Sequence, residues 1–567
     1  MQLRARPLAI AYAIGLVPAL AVALGQPVWS RADEPAHYDV IAQYAAGVYP
    51  HDSVTTIRPE TLSIMERTGN YGPVVDDAYQ QPDPRIAKMP SGLSDAEHVL
   101  WIRRHGWQYS YEAFQPPLYY ALALPAWKLG DALGGATGAL YAVRVFDALL
   151  AALLAPLAML LALRIWPGYG PAGWAAAALT AVMPVVDVNL TSVTNDVLVA
   201  VLGAVTVLVA LGGRVTVARA LAVGALLGLA ILAGTAAVAL VPAVFVALMW
   251  RSRDGSFGEA LTALVVAAVV VAPWLASNLL IYGEVVTTRE QLAMSAFPQP
   301  TGSFDSWSAS ALHSFVTFWS AEPFLALATA IPLTLFAALL FALAIAGLVR
   351  AWRSTEVDRE PLIVGGLAAA GAAVASVFIA GGRPAFAGLV AVTALVAVGL
   401  WHELLTFRLR AGAFGVFTAL SLIALAVLVY PAAPRPSNPG HPTIAFSESL
   451  GATVSYHGAV FSLPECAIDP HGDLWLSLVV ANLSPTSVEW SQTAEIRSGD
   501  RSLATSGYAR STPLPMTLAP GKVLTGWLWF GPQGRVPRNT LLTVRFRDVA
   551  SNGYRAVGDV VISAPLC

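Results

Sequence analysis

Charged residues are scarce in this sequence, and so are cysteines. Only 12% of its 567 residues are Asp, Glu, Lys or Arg, whereas 56% are hydrophobic, and the mean hydropathy is +0.63. Soluble globular proteins carry about 25% charged residues, so the composition excludes an ordinary soluble protein. The two cysteines, Cys466 and Cys567, can build neither a multi-cysteine zinc site nor an iron–sulfur cluster.

The net charge is also small, at −2. The basic residues lie in short clusters between apolar runs and do not form one long stripe, which makes nucleic acid an unsuitable partner. No glycine-rich nucleotide loop is present in the sequence.

Long apolar runs fill the chain from residue 7 to residue 430. A segment of about 20 apolar residues can cross a bilayer, and about eleven such segments are predicted. They lie near 7–28, 140–165, 170–188, 195–213, 217–232, 235–250, 260–281, 324–349, 361–380, 385–405 and 411–430.

The short apolar segment 116–130 decides the orientation of everything after it. If it lies in the outer interface without crossing, the arginine clusters between spans face the cytoplasm, as the positive-inside rule favours. The sequence therefore predicts a multi-pass protein of the cytoplasmic (inner) membrane with a cytoplasmic N-terminus. Residues 1–430 form the membrane domain, with a large outer loop at 29–115. The alternative for the first 28 residues is a cleaved secretory signal.

The tail differs from the membrane domain in composition. A Pro-rich linker at 431–440 is followed by short strand-like runs such as LWLSLVVAN and LLTVRFRDV, separated by Gly, Pro, Ser and Asn. We predict an extracytoplasmic β-sandwich domain at 441–567. A Cys466–Cys567 disulfide is allowed there, and two free thiols are the alternative.

Two adjacent acids follow the first apolar run. Asp33 and Glu34 precede Pro35 and a helix-compatible stretch, and His37 lies three to four residues later, so the three polar side chains can point one way. They either cap a helix or provide a general base at the membrane surface. A divalent metal ion held by Asp33, His37 and a third ligand is a further alternative.

A second cluster lies just before segment 116–130. Arg103 and Arg104 suit either phosphate oxygens or a solvated surface. Gln115 and Tyr119 lie close to the interface, where tyrosine commonly anchors a helix.

A third polar feature precedes a predicted span. Asn195 and Asp196 either cap that span or contribute to a site on the same face as Asp33. Arg383 is an isolated basic residue in a short outer loop.

Four segments in order resemble the GT-C superfamily of polytopic glycosyltransferases, particularly its uncharacterised bacterial branch. They are DEPAHYDVIAQYAAGVYP from residue 33, YEAFQPPLYYALALP from residue 111, TSVTND from residue 191 and APWLASNLLIYGE from residue 272. The resemblance covers roughly residues 1–430. It implies inverting transfer of a sugar from a polyprenyl-phosphate donor to a glycan or glycolipid acceptor on the outer face.

The resemblance also implies roles for residues. Asp33 or Glu34 becomes the candidate base and Asp196 a second carboxylate, while Arg103 and Arg104 are candidates for the donor phosphate. The candidates for binding the substrate are His37, Gln115, Tyr119, Asn195, Asp196 and Arg383. Arg383 lies where the family often has Gly-Arg-Tyr, but here Pro384 and Ala385 follow it; Thr235-Ala236 stands where Thr-Lys is frequent.

Two other functions fit the composition. A lipid or sugar transporter or flippase would also need many spans, although no internal repeat is visible. A non-catalytic envelope-assembly protein would use its β-domain to bind glycans, with Trp475, Trp490, Trp527 and Trp529 either stacking on sugars or filling the core.

Overall fold

The structure is a computed structural model of the chain. It describes residues 5–26, 28–29, 34–49, 57–61, 64, 110, 112–251, 257–287, 304–320, 327–379, 383–403, 407–429, 445–490, 494–499, 501–506, 511, 517–532, 540–551 and 556–566. These residues form two compact units, one helical and ending at residue 429, the other made of strands and beginning at residue 445.

The helical unit contains fifteen described α-helices. In chain order they are α1 (Ala5–Gly25), α2 (Glu34–Ala45), α3 (Leu118–Ala151), α4 (Leu154–Ile165), α5 (Gly170–Ala181), α6 (Pro184–Asn189), α7 (Asp196–Ala210), α8 (Val217–Ala233), α9 (Val241–Arg251), α10 (Gly258–Tyr282), α11 (Phe304–Ser320), α12 (Leu327–Arg353), α13 (Arg359–Ile379), α14 (Leu389–Glu403) and α15 (Phe407–Val429). Short 3-10 helices at Thr235–Leu240 and Arg383–Gly388 precede α9 and α14.

Each predicted apolar segment contains a helix. Among the described residues, seven helices are long and apolar enough to cross a membrane, and three further apolar helices, at 196–210, 217–233 and 235–250, are shorter. Large hydrophobic side chains remain exposed along these helices, for example Leu280 at 87% and Val269 at 66%. In water such exposure would be unfavourable, whereas a lipid solvent accommodates it.

Helix α3 consists of two helical halves that fold back on each other. Gly134 and Gly135 interrupt it, and Gly135 adopts φ 61° and ψ −158°, a conformation that a side chain disfavours. A Cβ on Gly130 would lie 2.4 Å from the carbonyl oxygen of Gly138, which shows how closely the two halves pack. The short apolar segment predicted at 116–130 corresponds to the first half of α3, which ends at the turn at Gly134 and Gly135.

The second unit contains ten strands. They are β1 (Phe446–Tyr456), β2 (Ala459–Ile468), β3 (Asp473–Asn482), β4 (Val488–Glu489), β5 (Ala494–Ser498), β6 (Arg501–Thr505), β7 (Thr517–Leu518), β8 (Val523–Pro532), β9 (Thr540–Ser551) and β10 (Ala556–Leu566). A four-stranded sheet has the order β1-β2-β3-β8, and a second sheet contains β6, β5, β9, β4 and β7, with β10 paired to β9. All pairings are antiparallel.

The core of this unit contains the alternate apolar residues of both sheets, such as Phe461, Leu476, Trp490 and Phe546. Trp490 therefore fills the core and is not available to sugars. Cys466 is fully buried in the same core and takes part in a disulfide. Cys567 lies outside the described residues, so its pairing with Cys466 stays a prediction.

The predicted fold class, a polytopic helical membrane protein followed by an all-β unit, is confirmed. The boundaries predicted at 430, 431–440 and 441 fall on or beside residues that the structure does not describe, and they stay predictions.

Candidate functional site

A fully buried ion pair lies where α2 begins. Glu34 is the first residue of α2, and its carboxylate accepts hydrogen bonds from Nε and Nη2 of Arg144, at 2.7 and 2.6 Å. Both side chains are 0% exposed. The two parallel bonds form the bidentate arrangement that guanidinium and carboxylate favour.

The same pair ties three further segments together. Glu34 Oε1 also accepts a bond of 3.1 Å from the backbone N–H of Val193. Arg144 Nη1 donates to the backbone oxygen of Gln26 at 3.0 Å, just beyond the end of α1. The end of α1, the start of α2, helix α3 and the loop before α7 are therefore held at one point.

A second buried carboxylate lies one helical turn from Arg144. Tyr119 donates a hydrogen bond of 2.8 Å to Asp147 Oδ2, and both residues are 0% exposed. Asp147 Oδ1 has no hydrogen-bond partner among the described residues. Arg144 and Asp147 have the i, i+3 spacing at which helical side chains can form an ion pair, but the guanidinium of Arg144 binds Glu34 across the fold.

His37 lies on α2, three residues after Glu34. Its Nδ1 lies 2.8 Å from the hydroxyl oxygen of Tyr120, the two rings stack at 6.0 Å, and His37 is 2% exposed. His37 is thus part of the contact between α2 and the first half of α3. Burial and this hydrogen bond fix the orientation of its ring.

The loop before α7 completes the network. Asn195 Nδ2 donates to Ala233 O at 2.9 Å and to Gln115 Oε1 at 3.4 Å. Asp196 begins α7 and is half-buried. Glu34, His37, Gln115, Tyr119 and Asn195 come from three distant segments of the sequence, and hydrogen bonds join these segments in the structure. Asp196 follows Asn195 directly in the chain.

The remaining predicted site residues are not placed. Asp33, Arg103 and Arg104 lie outside the described residues. Arg383 begins a 3-10 helix, but its side chain also lies outside the described set. Their predicted roles stay predictions.

Helix α2 carries one buried acid that sequence reasoning did not single out. Asp39 is 0% exposed and accepts hydrogen bonds from the backbone N–H of Arg58 at 2.7 Å and from Gln43 Nε2 at 3.3 Å. Burial raises the pKa of the Asp39 carboxyl above its usual range, although these hydrogen bonds oppose the shift. The i, i+4 spacing of Asp39 and Gln43 was the available sequence signal.

The described residues include no group of three His, Cys, Asp or Glu side chains that could hold a metal ion. Of the residues considered for such a site, His37 is hydrogen-bonded to Tyr120. Asp33 lies outside the described part, so a metal site that includes it stays a prediction.

The apolar helices define a multi-pass membrane protein, and a buried polar network joins the end of α1, the start of α2, helix α3 and the loop before α7. No protein-family model and no curated protein sequence matches the chain. Among solved structures, ArnT from Cupriavidus metallidurans bound to undecaprenyl phosphate matches with a TM-score of 0.45 and 16% identity, over 74% of this chain and 76% of ArnT. The Archaeoglobus fulgidus oligosaccharyltransferase in complex with Zn and sulfate matches with a TM-score of 0.40 and 15% identity, over 76% of this chain and 54% of that protein.

Proposed function

We propose that this protein is an inverting glycosyltransferase that moves a sugar from a polyprenyl-phosphate donor to a cell-envelope acceptor, on the outer face of the cytoplasmic membrane. The observation that carries the proposal is the buried Glu34–Arg144 pair at the start of α2. It fixes the first acidic segment of the chain against α3 and the loop before α7, which contains the third polar motif.

The pair also distinguishes the two adjacent acids. Glu34 accepts two bonds from Arg144 and one from Val193 N–H, so its oxygens are engaged in holding the fold. A general base needs an oxygen that can reach the proton it removes. We therefore assign the base to Asp33 and give Glu34 the role of positioning the start of α2.

In the proposed reaction, the acceptor hydroxyl oxygen attacks the anomeric carbon on the side opposite the phosphate. A bond forms between that oxygen and the carbon, the bond between the carbon and the phosphate oxygen breaks, and the hydroxyl proton moves to Asp33. The leaving polyprenyl phosphate takes the electron pair, and Arg103 and Arg104 stabilise its charge.

The proposed orientation is supported by the arginines of the helical unit. Several of them lie near helix ends, in basic clusters of the kind that face the cytoplasm in most membrane proteins. The described examples are Arg164, Arg214, Arg219, Arg350, Arg353, Arg359 and Arg410.

The experiment compares the wild type with Asp33→Asn and Glu34→Gln, each purified in detergent and supplied with a panel of polyprenyl-phosphate sugars and an envelope extract as acceptor. We expect Asp33→Asn to abolish donor consumption at unchanged unfolding temperature, and Glu34→Gln to lower the unfolding temperature. The matched control is Glu356→Gln, an exposed acid after α12, which should change neither. A wild type that consumes no donor contradicts the proposal.

A further inference from the structure

The two sheets of the β unit have outer faces of opposite character. On the second sheet, Arg547 Nη2 lies 2.6 Å from Glu495 Oε1, and Arg545 Nε donates to Asp559 Oδ2 at 2.7 Å. This face is a ladder of ion pairs across β5, β9 and β10. The four-stranded sheet has no such ladder among the outward-facing residues of its central rows.

The strand register identifies those outward-facing residues. Leu476, Leu478 and Val480 of β3 point into the core, so Ser477, Val479 and Ala481 point outward. In the same rows, Ser477 pairs with Trp527, Val479 with Thr525 and Ala481 with Val523. On the other side, Ser462 pairs with Val479 and with Thr453, and Val460 pairs with Ala481 and with Ser455.

None of these residues is charged, and five of them carry hydroxyl groups. Thr453, Ser455 and Thr525 are exposed, and Ser462 and Ser477 are partly exposed. The other members are the apolar residues Val460, Val479, Ala481, Val523 and Trp527. We call this surface the hydroxyl face.

Two indole rings lie along one edge of the hydroxyl face. Trp527 and Trp529 alternate with the core residues Leu528 and Phe530 on the edge strand β8, and both are partly exposed. Trp529 Nε1 donates a hydrogen bond of 3.0 Å to Asp473 Oδ2. That bond fixes the tilt of the ring before any ligand arrives, which reduces the entropy lost on binding.

Trp475 completes the row but is not available for binding. It pairs with Trp529 across the strands, is 1% exposed, and donates from Nε1 to Asp469 Oδ2 at 3.3 Å. Trp475 therefore lies beside Trp529 on the neighbouring strand. Of the four tryptophans considered in the sequence, only Trp527 and Trp529 thus combine exposure with an outward position.

We propose that the hydroxyl face binds a neutral glycan chain, with sugar rings stacked on Trp527 and Trp529 and sugar hydroxyls bonded to the Ser and Thr side chains. Aromatic rings present an apolar surface to the C–H groups of a sugar, and hydroxyls both donate and accept hydrogen bonds. A lipid-facing surface would lack the hydroxyls, and an anionic polymer would call for cations. This binding site is separate from the chemistry proposed above and does not depend on it.

The test measures dissociation constants of the full chain in detergent for neutral gluco-, manno- and galacto-hexasaccharides, with a hexasaccharide of uronic acids as the charged probe. We expect wild type to bind at least one neutral probe and to bind the charged probe at least tenfold more weakly. Trp527→Ala should weaken binding of the neutral probe by about tenfold, or about 1.4 kcal/mol. The matched control is Trp250→Ala, which removes a tryptophan that is 55% exposed in the helical unit and should leave binding unchanged.

A second variant keeps the test decisive if Trp527→Ala fails to fold. Thr525→Glu adds a bulky charge at an exposed position of the same face and should also weaken binding about tenfold. The proposal is overturned if wild type binds none of the neutral probes, or if a folded Trp527→Ala or Thr525→Glu protein binds as wild type does. If that Trp527→Ala protein also unfolds at a lower temperature, the overturned proposal is replaced by a packing role for Trp527. Asp33→Asn should bind the probes normally, which separates this result from the transferase test.

Discussion

Tyr119 donates a hydrogen bond of 2.8 Å to Asp147, although the two residues are 28 positions apart and lie in the two different halves of α3. In a straight helix a separation of 28 residues spans about 42 Å at 1.5 Å per residue. The bond therefore exists only because α3 turns back at Gly134 and Gly135. The turn in α3 is therefore required for this part of the candidate site to form.

The turn itself should be sensitive to a single methyl group. Gly135 has φ 61° and ψ −158°, a conformation in which an added Cβ is strained, so we expect Gly135→Ala to lower the free energy of unfolding by about 1–3 kcal/mol. Thermal unfolding of the full chain in detergent measures the change. The neighbouring Gly134 has φ −151° and open space around its Cβ position, and Gly134→Ala is the matched control with a smaller expected effect. Equal stability of the two variants would contradict this account of the turn.

The bond that the turn makes possible can be tested without disturbing the turn. Tyr119→Phe removes the hydroxyl that donates to Asp147 and leaves this fully buried carboxyl without that donor. We expect a loss of about 1–3 kcal/mol, the cost of an unsatisfied buried polar group. Chemical denaturation measures it. Tyr12→Phe is the control, because the Tyr12 hydroxyl makes a long, exposed bond of 3.3 Å to Leu149 O. If the two variants lose the same stability, the Tyr119–Asp147 bond contributes nothing specific.

Local patterns predicted the elements of this protein well. The apolar runs indicated the helices, and runs such as LWLSLVVAN correspond to strand β3 (Asp473–Asn482). The acids at residues 33 and 34 were expected at a helix start, and Glu34 indeed begins α2. All these features depend on residues within one or two turns of each other, where periodicity and capping act.

The pairing of the charges was beyond local patterns. Arg144 and Asp147 have the i, i+3 spacing of an ion pair, yet Arg144 binds Glu34, 110 residues away, and Asp147 binds Tyr119. Both choices depend on the turn of α3 and on the position of α2 against it. Local spacing in a single sequence does not identify either pairing, because several partners could neutralise a buried charge and the packing of the helices determines which one does so.

The β unit should show an acid-sensitive contribution from Asp559. Partial burial raises the pKa of this carboxyl, but the Asp548 N–H bond and the Arg545 guanidinium lower it more, so the pKa lies below its usual 3.8. Because the folded-state pKa is lower than the unfolded one, the contribution is present above pH 3.8 and is lost as the pH falls through the folded value. Asp559→Asn should flatten the decrease of the unfolding temperature below about pH 4. Glu448→Gln, at an exposed position of β1, is the control; a wild-type pH profile in Asp559→Asn would contradict the assignment.

The buried pair of Glu34 and Arg144 should behave very differently from an ion pair at the surface. Removing one partner leaves the other charge buried without compensation, so Arg144→Met or Glu34→Gln alone should cost about 3–5 kcal/mol. The double variant should cost less than the sum of the two, because it leaves no isolated charge, and the double-mutant cycle should give a coupling of about 1–3 kcal/mol. Arg350, which is 58% exposed and pairs with Glu403 at 3.1 Å, provides the control, and Arg350→Gln should change stability by less than about 1 kcal/mol. Additive losses from the two single variants would mean that Glu34 and Arg144 act independently, and the role of the pair in holding the start of α2 would have to be abandoned.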